Sequence, residues 1–218
     1  MATVPRRTRE RILDLSLRLF NEIGEPNVTT SAISDEMNIS PGNLYYHFRN
    51  KDDITNAIFE DFEKEMDSLL SAPSKRDIHF EDAWFFLHLL FEQIWKYRFV
   101  YRDINDLLSR NRKLEVHFKA IVDKKQNAAL LLCKSLVQTG SMRASAREME
   151  SLSTNMVVVT THWLSFEYIR NARRFSDPGY QSAALARGAY QVLSLVAPYL
   201  EQEPRALFEK LASEYIKD

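Results

Sequence analysis

Residues 27–51, NVTTSAISDEMNISPGNLYYHFRNK, decide the fold of this chain, because they predict two short helices joined by a tight turn. The first helix is expected to begin at Thr29 or Thr30. Ser40 is a favourable N-cap and Pro41 suits the first helical position, so a second helix is predicted to begin there. A helix pair of this kind can place its second member in the major groove of DNA.

The second helix of this segment is the predicted recognition helix. Leu44 and Phe48 are one turn apart and are expected to face inward together. The aromatic side chains between them, Tyr45, Tyr46 and His47, are then left to point outward or sideways. These side chains are therefore available to meet DNA.

Several residue types in this segment suit contact with DNA. Gly42 permits a close approach of the backbone, and Asn43 can make a two-point contact with adenine, although a solvated or capping amide is an equal alternative. Tyrosines can pack on thymine methyls or donate to phosphates, with core packing as the alternative for a tyrosine pair. The predicted DNA contacts are Arg6, Arg7, Thr30, Ser31, Pro41, Gly42, Asn43, Tyr45, Tyr46, His47 and Lys51.

The charge of the chain restricts how it can bind nucleic acid. The formal net charge is -1, so DNA contact must come from a local arrangement rather than from a basic surface. Residues 1–11 carry Arg6, Arg7, Arg9 and Arg11 against Glu10. A solvated basic tail would explain this cluster, but its position next to the helix pair favours phosphate contact.

Helical periodicity continues through the rest of the chain and predicts an all-α fold. An apolar stripe runs from Ile54 to Leu69, residues 80–101 are apolar almost all round, and Gly140 is expected to end a helix. Ser145 with Glu148 forms a capping-box pattern for a helix through Asn171. Within that helix, MVVVTTHWL has strand propensity, but its helical flanks favour helix. Further helices are predicted over residues 180–200 and after Pro204.

Two aromatic faces in the carboxy-terminal part are candidate walls of a ligand pocket, with core packing as the alternative. Arg102 stands beside them in a polar cluster. It can hold a ligand carboxylate or phosphate if it is buried, or pair with Asp103 at a solvated helix end. The predicted ligand-binding residues are Trp84, His88, Phe91, Trp95, Arg102, His162, Trp163 and Phe166. Alanines 183, 186 and 189, extended by Val192, Leu193 and Val196, suggest a helix-packing surface for a dimer or an intramolecular core.

Other features exclude whole classes of function. The single cysteine, Cys133, leaves no internal disulfide, and five scattered histidines form no metal or catalytic constellation. No catalytic residue, metal or cofactor is therefore predicted. The sequence also contains no apolar run of about 20 residues, so we expect no contact with a membrane and a cytoplasmic location.

Residues 8–55 resemble the DNA-binding domain of the TetR family of bacterial transcriptional regulators. The resemblance rests on RILDLSLRLFNEIG and VTTSAISDEMNISPGNLYYHFRNKDDI, with Ser34 and Met37 larger than the residues usual there. It implies a helix-turn-helix domain over residues 1–51 and a helical ligand-binding and dimerisation domain over residues 52–218. It further implies a homodimeric repressor that binds a (pseudo)palindromic DNA operator and is released by a small-molecule effector.

A second resemblance narrows the expected effector. The stretches GEPNV and WFFLHLLFEQIWKYRFVYRD resemble the PhaD-like subgroup of the family, which implies an acyl or other apolar effector. A transcriptional activator of the same fold is the first alternative. A ligand-independent architectural DNA-binding protein is the second.

Overall fold

The protein is all-α, as predicted. A computed structural model describes residues 8–74, 78–175 and 177–215, and within these ranges it contains eleven α-helices and no strand. The helices are α1 (Thr8–Ile23), α2 (Thr30–Glu36), α3 (Pro41–His47), α4 (Lys51–Leu70), α5 (Phe80–Lys96), α6 (Arg98–Arg102), α7 (Ile104–Arg110), α8 (Arg112–Gln138), α9 (Ala146–Asn171), α10 (Pro178–Val196) and α11 (Gln202–Tyr215).

The helix ends follow the capping residues that the sequence predicts. Ser145 accepts a hydrogen bond from the backbone amide of Glu148, whose carboxylate accepts from the Ser145 amide at 2.7 Å, so the capping box is confirmed. Gly140 adopts φ of +73° just beyond α8, a left-handed conformation that glycine adopts without strain. The strand-like run MVVVTTHWL lies wholly within α9.

Some predicted elements differ from the structure. Residues 80–101 do not form one helix, because the chain breaks at Tyr97 into α5 and α6. Phe85 on α5 is 62% exposed, so this helix is less enclosed than its composition indicates. On α1, the apolar residue Ile23 is exposed, whereas the polar residue Ser16 is buried.

The chain divides into two compact units. Of the described residues, those within 8–64 and 97–117 form unit 1, and those within 65–96 and 118–215 form unit 2. This division groups the first part of α4 and the helices α6 and α7 with the first three helices, whereas the prediction placed all residues from 52 onward in a second domain. Long-range packing of this kind leaves no signal in local periodicity.

Unit 1 has an aromatic core that joins its early and late segments. The Phe20 ring lies 5.3 Å from that of Phe99, and the Phe62 ring lies 5.2 Å from that of Tyr97. The Phe99 amide also donates to Oδ1 of Asn21 at 3.0 Å, which ties α6 to α1. The helices that carry the predicted DNA contacts are thus mounted on a packed base.

Unit 2 is built around α10, which packs against α5, α9 and α11. Trp163 donates its indole N–H to the carbonyl of Ala184 at 2.8 Å. Val192, Leu193 and Val196, predicted to extend a dimer surface, are buried inside this unit, so the intramolecular alternative holds for them.

Candidate DNA interface and ligand region

The turn between α2 and α3 is formed by local hydrogen bonds. Thr29 caps α2 by accepting from the Ala32 amide at 3.1 Å, and Ser40 caps α3 by accepting from the Asn43 amide at 3.2 Å. Between the two helices, Asn38 adopts φ of +53°, a left-handed conformation that asparagine tolerates better than most residues. The predicted start of the second helix at Ser40 and Pro41 is confirmed.

The two faces of α3 are separated as the sequence predicts. Leu44 and Phe48 are buried, whereas Tyr46 is 85% exposed and Tyr45 is half exposed. The His47 ring lies partly buried, 5.1 Å from the Tyr46 ring in an edge arrangement. At the leading end of the helix, Pro41, Gly42 and Asn43 are all exposed. The outward face therefore presents a narrow polar end followed by two tyrosines.

A hydroxyl pair joins the two helices of the motif on their exposed side. The Thr30 and Tyr45 hydroxyls lie 3.0 Å apart, within hydrogen-bond distance. Ser31, the next residue of α2, is exposed. This contact orients the Tyr45 side chain in the absence of a bound partner.

Lys51 is held by a buried carboxylate that sequence reasoning did not identify. Its ammonium donates to the Glu25 carbonyl at 2.9 Å and lies 3.3 Å from Glu25 Oε1. The fully buried Glu25 also accepts from Thr55 at 3.3 Å and forms an ion pair with Arg110 of α7. Lys51 therefore has two oxygen partners within the protein, and it is the first residue of α4.

The other predicted cationic contacts of the first segment are Arg6 and Arg7, and both lie outside the described residues. The described Arg9 places its guanidinium 5.0 Å from the centre of the Phe48 ring. This arrangement is a cation–π contact that covers the inward aromatic residue of the motif.

Arg102 supports the end of α1. Its guanidinium donates to the Phe20 carbonyl at 2.9 Å and pairs with Asp103 at 3.4 Å. It also approaches Gly24, where an added Cβ would lie 3.1 Å from Nη2 and where φ is +91°. Because these groups all belong to unit 1, the contacts give Arg102 a structural role in that unit.

The remaining predicted ligand residues are distributed over unit 2 in separate contacts. Trp84 and His88 stack at 5.1 Å and stay partly exposed, whereas the buried Trp95 packs at 5.0 Å against Phe175. Phe91 and Trp163 meet at Gly188, where an added Cβ would lie within 2.8 Å of both. These last contacts are core packing, the alternative that the sequence left open.

An open apolar groove runs between α9 and α10. It encloses about 300 Å³, and its walls include His162, Trp163 and Phe166 together with Val158 and Leu195. His162 and Phe166 are exposed, so the second predicted aromatic face borders the solvent rather than an enclosed chamber.

Among the described residues, no cluster of His, Cys, Asp or Glu has the arrangement of a metal site. In the same ranges, every helix falls short of the length or apolar character that a membrane crossing requires.

The exposed second helix of a helix-turn-helix, mounted on a helical base, defines a DNA-binding transcriptional regulator. Residues 12–58 match the family model described as bacterial regulatory proteins, tetR family, and residues 61–208 match the TetR model described as bacterial transcriptional repressor. The chain belongs to the TetR family of transcriptional regulators.

Individual relatives agree with this assignment. A TetR-family transcriptional regulator from Marinobacter aquaeolei VT8 is 36% identical, with a TM-score of 0.86 over 96% of this chain and 99% of that one. The regulator AcrR of Shigella flexneri is 36% identical over 53 residues, which are 24% of this chain and 25% of AcrR, so the match spans a quarter of that protein.

A more distant structure shares the fold. The ketosteroid transcriptional regulator KstR2 of Mycobacterium tuberculosis is 16% identical, with a TM-score of 0.62 over 92% of this chain and 99% of that one. These relatives are transcriptional regulators rather than enzymes.

Proposed function

We propose that the protein is a homodimeric repressor that a small apolar or acyl-type effector releases from a (pseudo)palindromic operator. The observation that carries this proposal is the outward face of α3, where Tyr46 is 85% exposed while Leu44 and Phe48 are buried. Exposing a large aromatic side chain to water is unfavourable, so an exposed aromatic side chain of this kind indicates a binding surface.

The proposed DNA surface lies within residues 1–51, and the effector and dimer surfaces lie within residues 52–218. Base edges are read by Asn43, Tyr45 and Tyr46, while phosphates are bound around the start of α2. The full proposed set of DNA contacts is Arg6, Arg7, Thr30, Ser31, Pro41, Gly42, Asn43, Tyr45, Tyr46, His47 and Lys51. Lys51 can bind a phosphate only in competition with Glu25.

Dimerisation is supported by the exposed apolar residues of α9. Val158, Phe166 and Ile169 are 53%, 46% and 81% exposed and stand on a helix that already packs against α10 on another side. An isologous pairing of this surface would bury these side chains and set two recognition helices on one duplex. Each recognition helix reads few bases, so the second copy supplies the remaining sequence information.

Release by an effector follows from linkage. The effector is expected to bind preferentially to a conformation in which the spacing of the two recognition helices does not match the half-sites of the operator. Effector binding then lowers the affinity for DNA, and DNA binding lowers the affinity for the effector by the same factor. Repression, rather than activation, is tested by placing the selected operator within a reporter promoter, where removal of the protein should raise expression.

The first experiment selects binding sites for the full chain from a pool of random-sequence duplexes. We expect a palindromic site whose half-sites lie one helical turn apart. Tyr46→Ala should weaken binding to that site by about tenfold or more, because each subunit loses one groove contact. The matched control is Phe85→Ala, which removes an exposed aromatic ring of unit 2 and should leave affinity unchanged. Equal affinity of the Tyr46 variant and the parent chain would refute the assignment of α3.

A further inference from the structure

One histidine lies in the open apolar groove between α9 and α10. His162 is exposed, and on the outer face of α9 it stands one turn from Val158 on one side and one turn from Phe166 on the other. The other residues that line the groove carry no ionisable group and are Val159, Trp163, Gln191 and Leu195. Among the described residues of these walls, His162 is therefore the one group that can change its charge near neutral pH.

The charged and titratable groups of the neighbouring helix α10 are engaged elsewhere. Arg187 is the only charged side chain of α10, and its guanidinium donates to the buried Glu167 of α9 at 2.8 Å and 3.1 Å. Tyr180 donates its hydroxyl to the same carboxylate, and the Tyr190 ring stacks on a ring of α11 at 5.8 Å. Within the described residues, no carboxylate forms an ion pair with His162, so a positive charge there is balanced only by water.

The charge pattern along α9 favours a second copy of this chain as the partner that covers this face. The helix carries Glu148 and Glu150 near its start, against a single Arg147, and Arg170 in its last turn. Between these ends the only charged side chain is the buried Glu167. Two copies of α9 packed antiparallel would place the acidic end of each beside the basic end of the other, with the uncharged stretch in contact between them.

Pairing of this face would remove His162 from water. An isologous interface presents the same surface twice, so the second copy of the groove brings no carboxylate that could neutralise a protonated imidazole. Burial among apolar side chains disfavours the charged form of a histidine, and two such charges within one interface would also repel each other. Dimerisation through this face therefore favours the neutral form of both imidazoles.

We propose that His162 makes assembly of the dimer depend on pH, so that acidification separates the subunits and thereby releases the operator. Below the ionisation range of histidine, each subunit must give up a proton when the dimer forms. Because a histidine in water ionises near pH 6.5, the dissociation constant of the dimer should rise by up to about 100-fold between pH 7.5 and pH 5.5. Operator affinity should fall with it, because a single recognition helix reads few bases. The inference rests on the proposed function, since it adds regulation to the proposed dimer surface.

The test is sedimentation velocity of the full chain over a concentration series at pH 7.5 and pH 5.5. We expect the dissociation constant of the parent chain to be at least tenfold higher at pH 5.5. His162→Gln keeps a polar side chain that cannot ionise, and its dissociation constant should change less than about threefold between the two pH values. His79→Gln is the matched control, since His79 is also exposed in unit 2 but lies just before α5, and this variant should retain the pH dependence of the parent chain.

Two results would overturn the inference: a parent dimer with the same dissociation constant at both pH values, or a full pH dependence that persists in the His162 variant. A parent chain that is monomeric at pH 7.5 would reject the proposed dimer together with its regulation. A dimer that forms and binds the selected operator equally well at both pH values would reject the regulation alone, and the proposed function would stand.

Discussion

At Gly188 the absence of a side chain is a packing requirement. A Cβ at this position would lie 2.7 Å from Phe91 and 2.8 Å from Trp163, below the closest approach of real Cβ atoms. Gly188→Ala should therefore lower the free energy of unfolding by about 1–3 kcal/mol through overpacking. The measurement is urea denaturation followed by tryptophan fluorescence.

Gly179 provides the matched control on the same helix. An added Cβ there meets nothing within 4 Å, so Gly179→Ala should be neutral or slightly stabilising. Equal effects of the two substitutions would show that α10 has room to move away from Phe91.

The burial of Lys125 makes the free energy of unfolding depend on pH. Its pKa is lowered to about 7 by burial, whereas an unfolded chain holds lysine near its ordinary value of about 10.4. Between these pH values the unfolded state binds the extra proton, so stability rises with pH. Below about 7 both states are protonated and the destabilisation is complete.

Lys125→Met should consequently stabilise the protein, most strongly below pH 7. The gain should shrink by about 1.4 kcal/mol per pH unit between roughly pH 7 and pH 10. Paired denaturation curves of parent and variant at pH 6, 8 and 9.5 measure this difference. A gain that is constant across the three pH values would contradict the buried titration.

Single residues were predictable where the signal is local. Leu44 and Phe48 are identified by helical spacing, and Ser40 by its capping chemistry. Lys125 was missed because it stands in the polar run DKKQN, where sequence alone cannot tell which lysine faces the interior. Glu25 was missed because its partners Lys51 and Arg110 are 26 and 85 positions away.

At the scale of elements, Glu25 joins the segment before α2 to the start of α4 and to α7. Glu25→Gln preserves the side-chain size but removes the charge opposite Lys51 and Arg110. Because both cations are partly exposed, the expected loss is moderate, about 1–2 kcal/mol in the free energy of unfolding.

The control for this change is Glu36→Gln. Glu36 pairs with Arg18 at 2.8 Å, but both side chains are about half exposed. Such surface pairs contribute about 0–1 kcal/mol, and high salt should reduce the contribution further. The melting temperatures of both variants, measured at two salt concentrations without denaturant, distinguish the two ion pairs. An equal loss in both variants would contradict the burial of Glu25.

The order and type of the helices follow largely from caps and periodicity, whereas some boundaries do not. The break at Tyr97 falls within a continuous aromatic run, and nothing in the local pattern marks it. What separates α5 from α6 is packing, since Tyr97 and Phe99 enter the core of unit 1 while Trp95 belongs to unit 2.

At the scale of the whole molecule, the exposed surface of α9 governs subunit number in our proposal. Val158→Glu introduces a charge into that surface and should weaken self-association at least tenfold, because a buried unpaired carboxylate is costly. Sedimentation velocity over a concentration series measures the change. Operator affinity should fall with it.

Val116→Glu is the matched control, since Val116 is similarly exposed but lies on α8 in unit 1. This variant should associate like the parent chain. A parent chain that sediments as a monomer at every concentration, or two variants that both remain dimeric, would contradict the role given to α9.

The ion pair between Lys51 and Glu25 has a consequence for the counterions of DNA. A free lysine that meets a phosphate expels one condensed cation, and this release makes protein–DNA affinity fall with salt. Lys51 already has a carboxylate beside it at 3.3 Å, so its charge is partly neutralised before DNA arrives. The released ions then come mainly from other basic groups. An operator complex of this protein should thus tolerate salt better than its count of cationic side chains indicates.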